Sequence, residues 1–273
     1  NVLDTVEKDF IRYVLTNRDF QEYIVRYATG TTIKNASLKQ MREYTFSLPP
    51  LTVQRVIAAT LSCLDNKIDL NNKINANLEA QAQAIFKSWF VDFEPFQDDE
   101  FVDSELGPIP KGWRVETLGS VTTEIKKRVM DGSCPVFSAV KTGELVLSED
   151  YFIKQVYSQE ISKYIVVNKN EFAYNPSRIN IGSLGMNKFD FAGCVSPIYV
   201  VFRTEDSYHL FFDLYFRSSV FKQYREVLSS GSVRQSMKYS DFSVVPIIYP
   251  SHKHIKEFNS LYSSFLSVIN QNI

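Results

Sequence analysis

The sequence predicts an α+β protein: a mixed, mostly antiparallel β domain combined with long coiled-coil spacer helices. From Leu51 to Glu94 there is neither Pro nor Gly, and Pro49-Pro50 and Pro95 bound the stretch. Pro is excluded from helix interiors, so these residues mark the ends of one long helix. From Trp113 to about Val245 short runs of Val, Ile, Phe and Tyr alternate with turn residues, the pattern of short strands. Shifting the chain by 201 residues brings its start onto its end, so the long helix has a second copy.

Along the long helix, Ile57, Leu61, Leu64, Ile68, Asn71, Asn75, Leu78, Ala82, Ile85 and Trp89 step by four and three in strict alternation. That is a heptad seam. Such a helix is roughly 57 Å long, too long for a small core to wrap. It needs a partner helix along much of its length. Asn71 and Asn75 are polar seam positions with two readings. Either the middle of the coil is loose or the helix is rotated so that Leu70 and Ile74 take over the seam, or else the buried amides control register by demanding specific partners.

At 273 residues the chain has room for one large or two medium domains. It is 44% hydrophobic, with 21 Phe and 15 Tyr, which is enough for a core and argues against disorder. The net charge of -1 provides no global basic field, so any nucleic-acid contact must come from a local patch. Cys63, Cys134 and Cys194 are odd in number and scattered. They form neither a metal-ligand spacing nor a disulfide framework, and buried reduced thiols in a cytoplasmic protein are expected. No apolar run reaches the length of a membrane span. The chain begins at Asn1, close to a helix and without Met, so an upstream portion is expected.

Taken in order, residues 4–28 read as helical, with Asn17-Arg18-Asp19 as a break. A turn and a polar loop run from Thr29 to about Lys39. Tyr44, Phe46 and Leu48 alternate as a strand would. After the long helix, residues 97–112 are acidic and then carry Gly107, Pro108, Pro110 and Gly112, which reads as a linker. Strands are expected at Pro135 to Val140, Lys163 to Val167, Glu171 to Tyr174 and Cys194 to Phe202. Helices follow at Tyr208 to Phe216 and Val220 to Leu228.

The repeat needs no gap. Phe10 falls on Phe211, Phe20 on Phe221, Tyr23 on Tyr224, Gly30 on Gly231, Pro49 on Pro250 and Ser62 on Ser263. In the last helix Phe258, Tyr262, Phe265 and Ile269 fall on Ile57, Leu61, Leu64 and Ile68, in the same heptad phase. The second long helix is the expected partner of the first.

The stretch from Leu48 to Phe96 resembles the central spacer of the specificity subunits of type I restriction-modification enzymes. The resemblance lies in Pro50-Leu51, Gln54 and Ile57 at its start, LDNKIDLN at its centre and KSWFVDF at its end. GWRVETLGSV, NEFAYNPSRINIGSLG and SSGSVRQSMKYSDF are similar to the start, middle and end of that family's target-recognition domains. The resemblance covers nearly the whole chain. It implies residues 1–48 as the tail of a first target-recognition domain, 49–96 as a spacer helix and 97–112 as a linker. Residues 113–250 would be a second target-recognition domain and 251–273 the start of a second spacer. It further implies that each such domain reads half of a split target in double-stranded DNA. Methylation subunits holding S-adenosylmethionine would dock on this subunit, and a motor-nuclease restriction subunit would join them. The family usually carries two complete domains and two complete spacers, and this sequence departs from that. Because the second helix is the shorter, Leu78, Ile85 and Trp89 of the first are expected to lie uncovered and to drive self-association, with a palindromic split target.

Three segments have the chemistry to touch DNA. Lys126, Lys127 and Arg128 form a basic triplet, or else a solvated face. Asn175, Arg178 and Asn180 share a Pro- and Gly-bounded loop; Arg can read guanine and Asn adenine, though such Asn residues also bond their own turn. Ser232, Arg234 and Gln235, with Lys238 and Tyr239, form a polar loop at the place where Lys34, Asn35 and Lys39 stand in the first copy. A connector would look similar.

Catalysis by this chain alone is not expected. Asn175 to Arg178 only faintly resembles the N-P-P-aromatic motif of amino-methyltransferases, lacking the second Pro and the aromatic. No Gly-rich loop offers a cofactor site in this chain. Glu124-Ile125-Lys126 lacks the preceding Asp of a metal-dependent nuclease, and no metal site is expected. His252 and His254 are expected to be exposed. The competing reading is a coiled-coil scaffold without DNA specificity.

Overall fold

The computed structural model describes residues 5–28, 36–130, 133–228 and 236–272. The chain divides into two compact units, residues 1–76 with 271–273 and residues 77–270. The division falls inside the long helix rather than in 97–112.

The first unit holds α1 (Lys8–Thr16), α2 (Arg18–Tyr27), α3 (Leu38–Glu43) and the start of α4 (Leu51–Phe90). Asn17 breaks the helical run as expected: its side chain accepts from the Phe20 amide at 2.8 Å and so caps α2. Phe10 and Phe20 are the buried positions of the two amphipathic helices. Gln54, 1% exposed, receives the Glu7 amide at 2.9 Å and donates to the Pro49 carbonyl at 2.8 Å. It therefore ties α1 to the start of α4. Tyr13 donates to Asp65 at 2.6 Å.

Tyr44 to Leu48 is not a strand, and Phe46 and Leu48 are exposed. A strand needs a ladder partner. Under the 201 shift this segment corresponds to β12 (Pro246–Tyr249), whose partner is β3 (Arg114–Thr117).

Asn71 and Asn75 meet the end of the chain. Asn71 Nδ2 donates to the Asn272 carbonyl at 3.2 Å, and Asn272 Nδ2 donates to Asn75 Oδ1 at 2.8 Å.

In the second unit, α4 gives way at Phe90, earlier than Glu94. The amides of Val91 and Asp92 both turn back to the Lys87 carbonyl, and Phe93 adopts a left-handed φ of 54°. The segment read as a linker is structured: β1 (Phe101–Val102) pairs with β2 (Ile109–Pro110). Then come β3, α5 (Leu118–Val121), β4 (Thr122–Ile125), β5 (Phe137–Val140), β6 (Glu144–Leu147), α6 (Ser148–Tyr151), β7 (Ile165–Val167) and β8 (Phe172–Tyr174). These are followed by β9 (Leu184–Met186), β10 (Gly193–Val195), β11 (Val200–Thr204), α7 (His209–Tyr215), α8 (Ser219–Leu228), α9 (Tyr239–Ser243), β12 and α10 (His252–Gln271). The run from Cys194 to Phe202 is thus two strands, parted at Pro197, which has no N–H for a ladder.

The central sheet has the order β4-β11-β8-β9, all antiparallel. Its two inner strands are buried on both faces. Phe172, Tyr174 and Phe202 pack into an aromatic cluster with α7, α10 and the end of α4, while Ala173 and Val201 pack with Phe137, Leu145 and Val167. This alternation is the two-residue period of a strand with a core on each side.

Ala82, Phe86 and Phe90 are buried, and Ile85 and Trp89 pack beside them. Phe90 lies 4.9 Å from Phe258 and 5.0 Å from Phe211, ring to ring. The expectation of an uncovered Ile85 and Trp89 is therefore corrected: the aromatic core of the same unit covers them, and Leu78 is half-buried. The exposed seam residues are instead Ile57, Leu64 and Ile68.

The repeat extends to element starts. Under the 201 shift α1 falls on α7, α2 on α8, α3 on α9 and α4 on α10, each beginning at the equivalent residue. Caps match too: Ser218 accepts from the Phe221 amide as Asn17 does from Phe20.

Gly185 carries the closest backbone approach. A Cβ there would stand 2.4 Å from the Glu144 carbonyl carbon and 2.5 Å from the Leu145 amide. Because the obstacle is the backbone of β6 and not a flexible side chain, Gly185→Ala is expected to cost about 3 kcal/mol, the upper end of overpacking penalties. The measurement is the urea midpoint, and an unmoved midpoint would show that β6 can yield.

Candidate nucleic-acid interface

After β4 the chain stays extended beside β7. The Val166 amide bonds the Lys127 carbonyl at 2.8 Å, the Val129 amide bonds the Tyr164 carbonyl at 2.9 Å, and Arg128 bridges Ile165. Side chains alternate along an extended chain. Lys126 and Arg128 accordingly line one groove, of about 440 Å³, and Lys127 does not. Lys163, Pro176, Tyr199, Lys238 and Tyr239 also line it.

Among the described residues the groove gathers four cations, Lys126, Arg128, Lys163 and Lys238, against one carboxylate, Glu124. Lys126 pairs with Glu124 at 2.7 Å. Among the described residues, Arg128, Lys163 and Lys238 make no salt bridge, so their charge is available to a polyanion. Tyr239 contributes its ring, but its hydroxyl is engaged by Thr122, at 2.9 Å from the Thr122 hydroxyl and 3.1 Å from the carbonyl.

The second candidate segment borders the groove through Pro176, whose carbonyl receives the Met237 amide at 3.1 Å. Here the residues part ways. Asn175 is buried, and its side-chain oxygen accepts from the Ser177 amide at 3.0 Å. It serves its own turn, its side-chain oxygen bonding the loop's backbone. Arg178 and Asn180 are exposed on either side of buried Ile179. Ser232, Arg234 and Gln235 lie outside the described residues.

Sequence reasoning missed Lys163 as part of this face. It stands at the start of a predicted strand, and only the pairing of 127–129 with 164–166 carries it beside Arg128. Two other expectations change. His254 is half-buried: its Nδ1 accepts from Trp113 Nε1 at 2.8 Å, and its ring lies 4.5 Å from Phe96. Burial pushes the His254 pKa down. Cys63 is exposed, while Cys194 is buried and its pKa is pushed up to about 12 by that burial. Among the described residues no group of three or more His, Cys, Asp or Glu is placed to hold a metal ion, and no helix is long and apolar enough to cross a membrane.

The sequence profile described as "Type I restriction modification DNA specificity domain" matches residues 3–80. The MjaIX specificity subunit, a type I restriction enzyme subunit of Methanocaldococcus jannaschii, is 29% identical over 94% of this chain and 62% of its own length. The MjaX specificity subunit of the same organism, a putative type I restriction enzyme subunit, is 27% identical over 90% of this chain and 58% of its own length. The chain thus spans about three fifths of the length of these curated relatives. A crystal structure of a type I restriction-modification system S subunit from M. genitalium matches all of this chain and 70% of its own, with a TM-score of 0.56 at 16% identity. That likeness is one of fold.

Proposed function

We propose that this chain, which belongs to the specificity subunits of type I restriction-modification enzymes, reads one half of a split target in double-stranded DNA. Residues 113–250 form the reading domain, and the chain positions its partners without chemistry of its own. The methylation subunits would hold S-adenosylmethionine, and a restriction subunit would join for cleavage, all in the cytoplasm. The observation that carries this reading is the convergence of Lys126, Arg128, Lys163 and Lys238 in one groove bordered by the turn that exposes Arg178 and Asn180. Cations that neutralise phosphates hold a protein on DNA, and side chains at base edges supply sequence.

The test is selection from random duplex DNA by the chain mixed with its methylation subunit, read by sequencing. A motif is expected. Arg178→Ala should relax it at a single position by about tenfold, the value of one bidentate base contact. Recovery of no motif, with binding that only fades with salt, would reject the reading. It would favour the scaffold reading, which the exposed line of Ile57, Leu64 and Ile68 on α4 supports as a seat for a partner helix, from a second copy or another subunit.

A further inference from the structure

Arg225 on α8 is 9% exposed, an unusual place for a guanidinium. Its Nη1 donates to the Ile179 carbonyl at 3.2 Å, and its guanidinium carbon lies 5.8 Å from the centre of the Phe221 ring. The same Ile179 carbonyl receives the Gly182 amide at 2.9 Å. Ile179 is buried, and its neighbours Arg178 and Asn180 are exposed. Gly182, at a φ of 96°, has no room on this side: a Cβ would come 2.7 Å from the Lys141 carbonyl oxygen and 3.2 Å from Arg225 Nη1. The 178–182 turn is therefore wedged between the backbone at Lys141 and the guanidinium of Arg225. Met237, on the far side of 229–235, bonds the Pro176 carbonyl. The chain is thus bonded to the 175–182 loop on both sides of 229–235.

We propose that Arg225 is a specificity-positioning residue, which holds the 178–182 turn in fixed register with α8 so that Arg178 and Asn180 address one stretch of base edges. The inference rests on the DNA-reading function proposed above. A buried cation is costly to keep. The planar guanidinium holds its donors in a rigid fork, so it pins a carbonyl more firmly than the flexible ammonium of Lys would. Arg225 itself lies behind the turn and contributes no phosphate contact.

The test uses the full chain with its methylation subunit, comparing wild type, Arg178→Ala, Arg225→Met and Gly182→Ala. Random-duplex selection, the salt dependence of binding and amide exchange at Ile181, Gly182 and Ser183 are read in parallel. Arg225→Met is expected to lose about tenfold in discrimination at the position that Arg178→Ala relaxes. Its salt slope should stay at the wild-type value and its three turn amides should exchange faster. A salt slope lowered by about 0.9 would make Arg225 a phosphate contact and overturn the proposal. Wild-type amide exchange in folded Arg225→Met would also overturn it. If Arg225→Met does not fold, Gly182→Ala disturbs the same turn with Arg225 in place, and an intact motif in that variant overturns the proposal. If wild type enriches no motif, the DNA-reading function falls, and amide exchange alone decides whether Arg225 holds the turn.

Discussion

Replacing Lys126, Arg128, Lys163 and Lys238 together by Ala is expected to remove most of the protein's hold on DNA. The chain carries a net charge of -1, so bulk attraction contributes nothing and the groove must supply the field. If each cation neutralises one phosphate, the fourfold variant should lose about 3.6 from the slope of log affinity against log salt. Between 50 and 200 mM salt, wild type should then lose about a hundredfold more affinity than the variant. The fold should survive, because all four side chains are exposed and the one ion pair they make among the described residues, Lys126 with Glu124, is of the surface kind that contributes little. Lys127→Ala is the internal control. It belongs to the same triplet but does not line the groove, so its slope should match wild type. Equal slopes for the fourfold variant and wild type would remove DNA from this groove.

Asp213→Asn is expected to destabilise the second unit by about 3–5 kcal/mol, the cost of stranding partners of a buried ion pair. The Asp213 side chain is 2% exposed and lies 2.7 Å from Arg217, 3.0 Å from Lys188 and 3.3 Å from the Tyr262 hydroxyl. Those groups come from the turn after α7, the turn after β9 and α10, so one carboxylate on α7 links three segments. Burial alone would raise its pKa, but Lys188 and Arg217 outweigh burial and hold the carboxyl below the usual carboxylate range. A carboxyl depressed by folding stabilises above its unfolded pKa of about 3.9, and that contribution is lost as pH falls through the folded value. Wild type should therefore lose stability on acidification below about pH 4 more steeply than Asp213→Asn. Denaturant midpoints across pH measure both effects. Replacing Asp213 and Arg217 together by apolar residues should recover part of the loss, since removing a buried pair is cheaper than breaking it. A midpoint for Asp213→Asn equal to that of wild type would refute the role.

The long helix, the break at Asn17, the repeat and the helices after residue 208 were legible because each rests on local periodicity or capping. Several strands were not. The sequences of β3 and β4, RVET and TTEI, carry no apolar run and owe their state to partners more than seventy residues away, β12 and β11. Tyr44 to Leu48 shows the converse, an alternating pattern that is not a strand. In the candidate interface the residue types were legible but their directions were not. Asn175 turned inward to cap its own loop, Lys127 fell on the other side of its strand, and Lys163 entered from a segment that offered no motif.

By itself the sequence determined the period of the long helix, the phase of its second copy and the family to which its motifs point, because spacing along a chain needs no knowledge of what lies across from it. Only the tertiary structure decided which part of the seam is covered and that Asn71 and Asn75 meet Asn272. It also decided which cations share a groove and that Arg225 stands behind the 178–182 turn. Each of these is a contact between residues distant in sequence, set by strand pairing and close packing of aromatic side chains, and such contacts leave no local period to read.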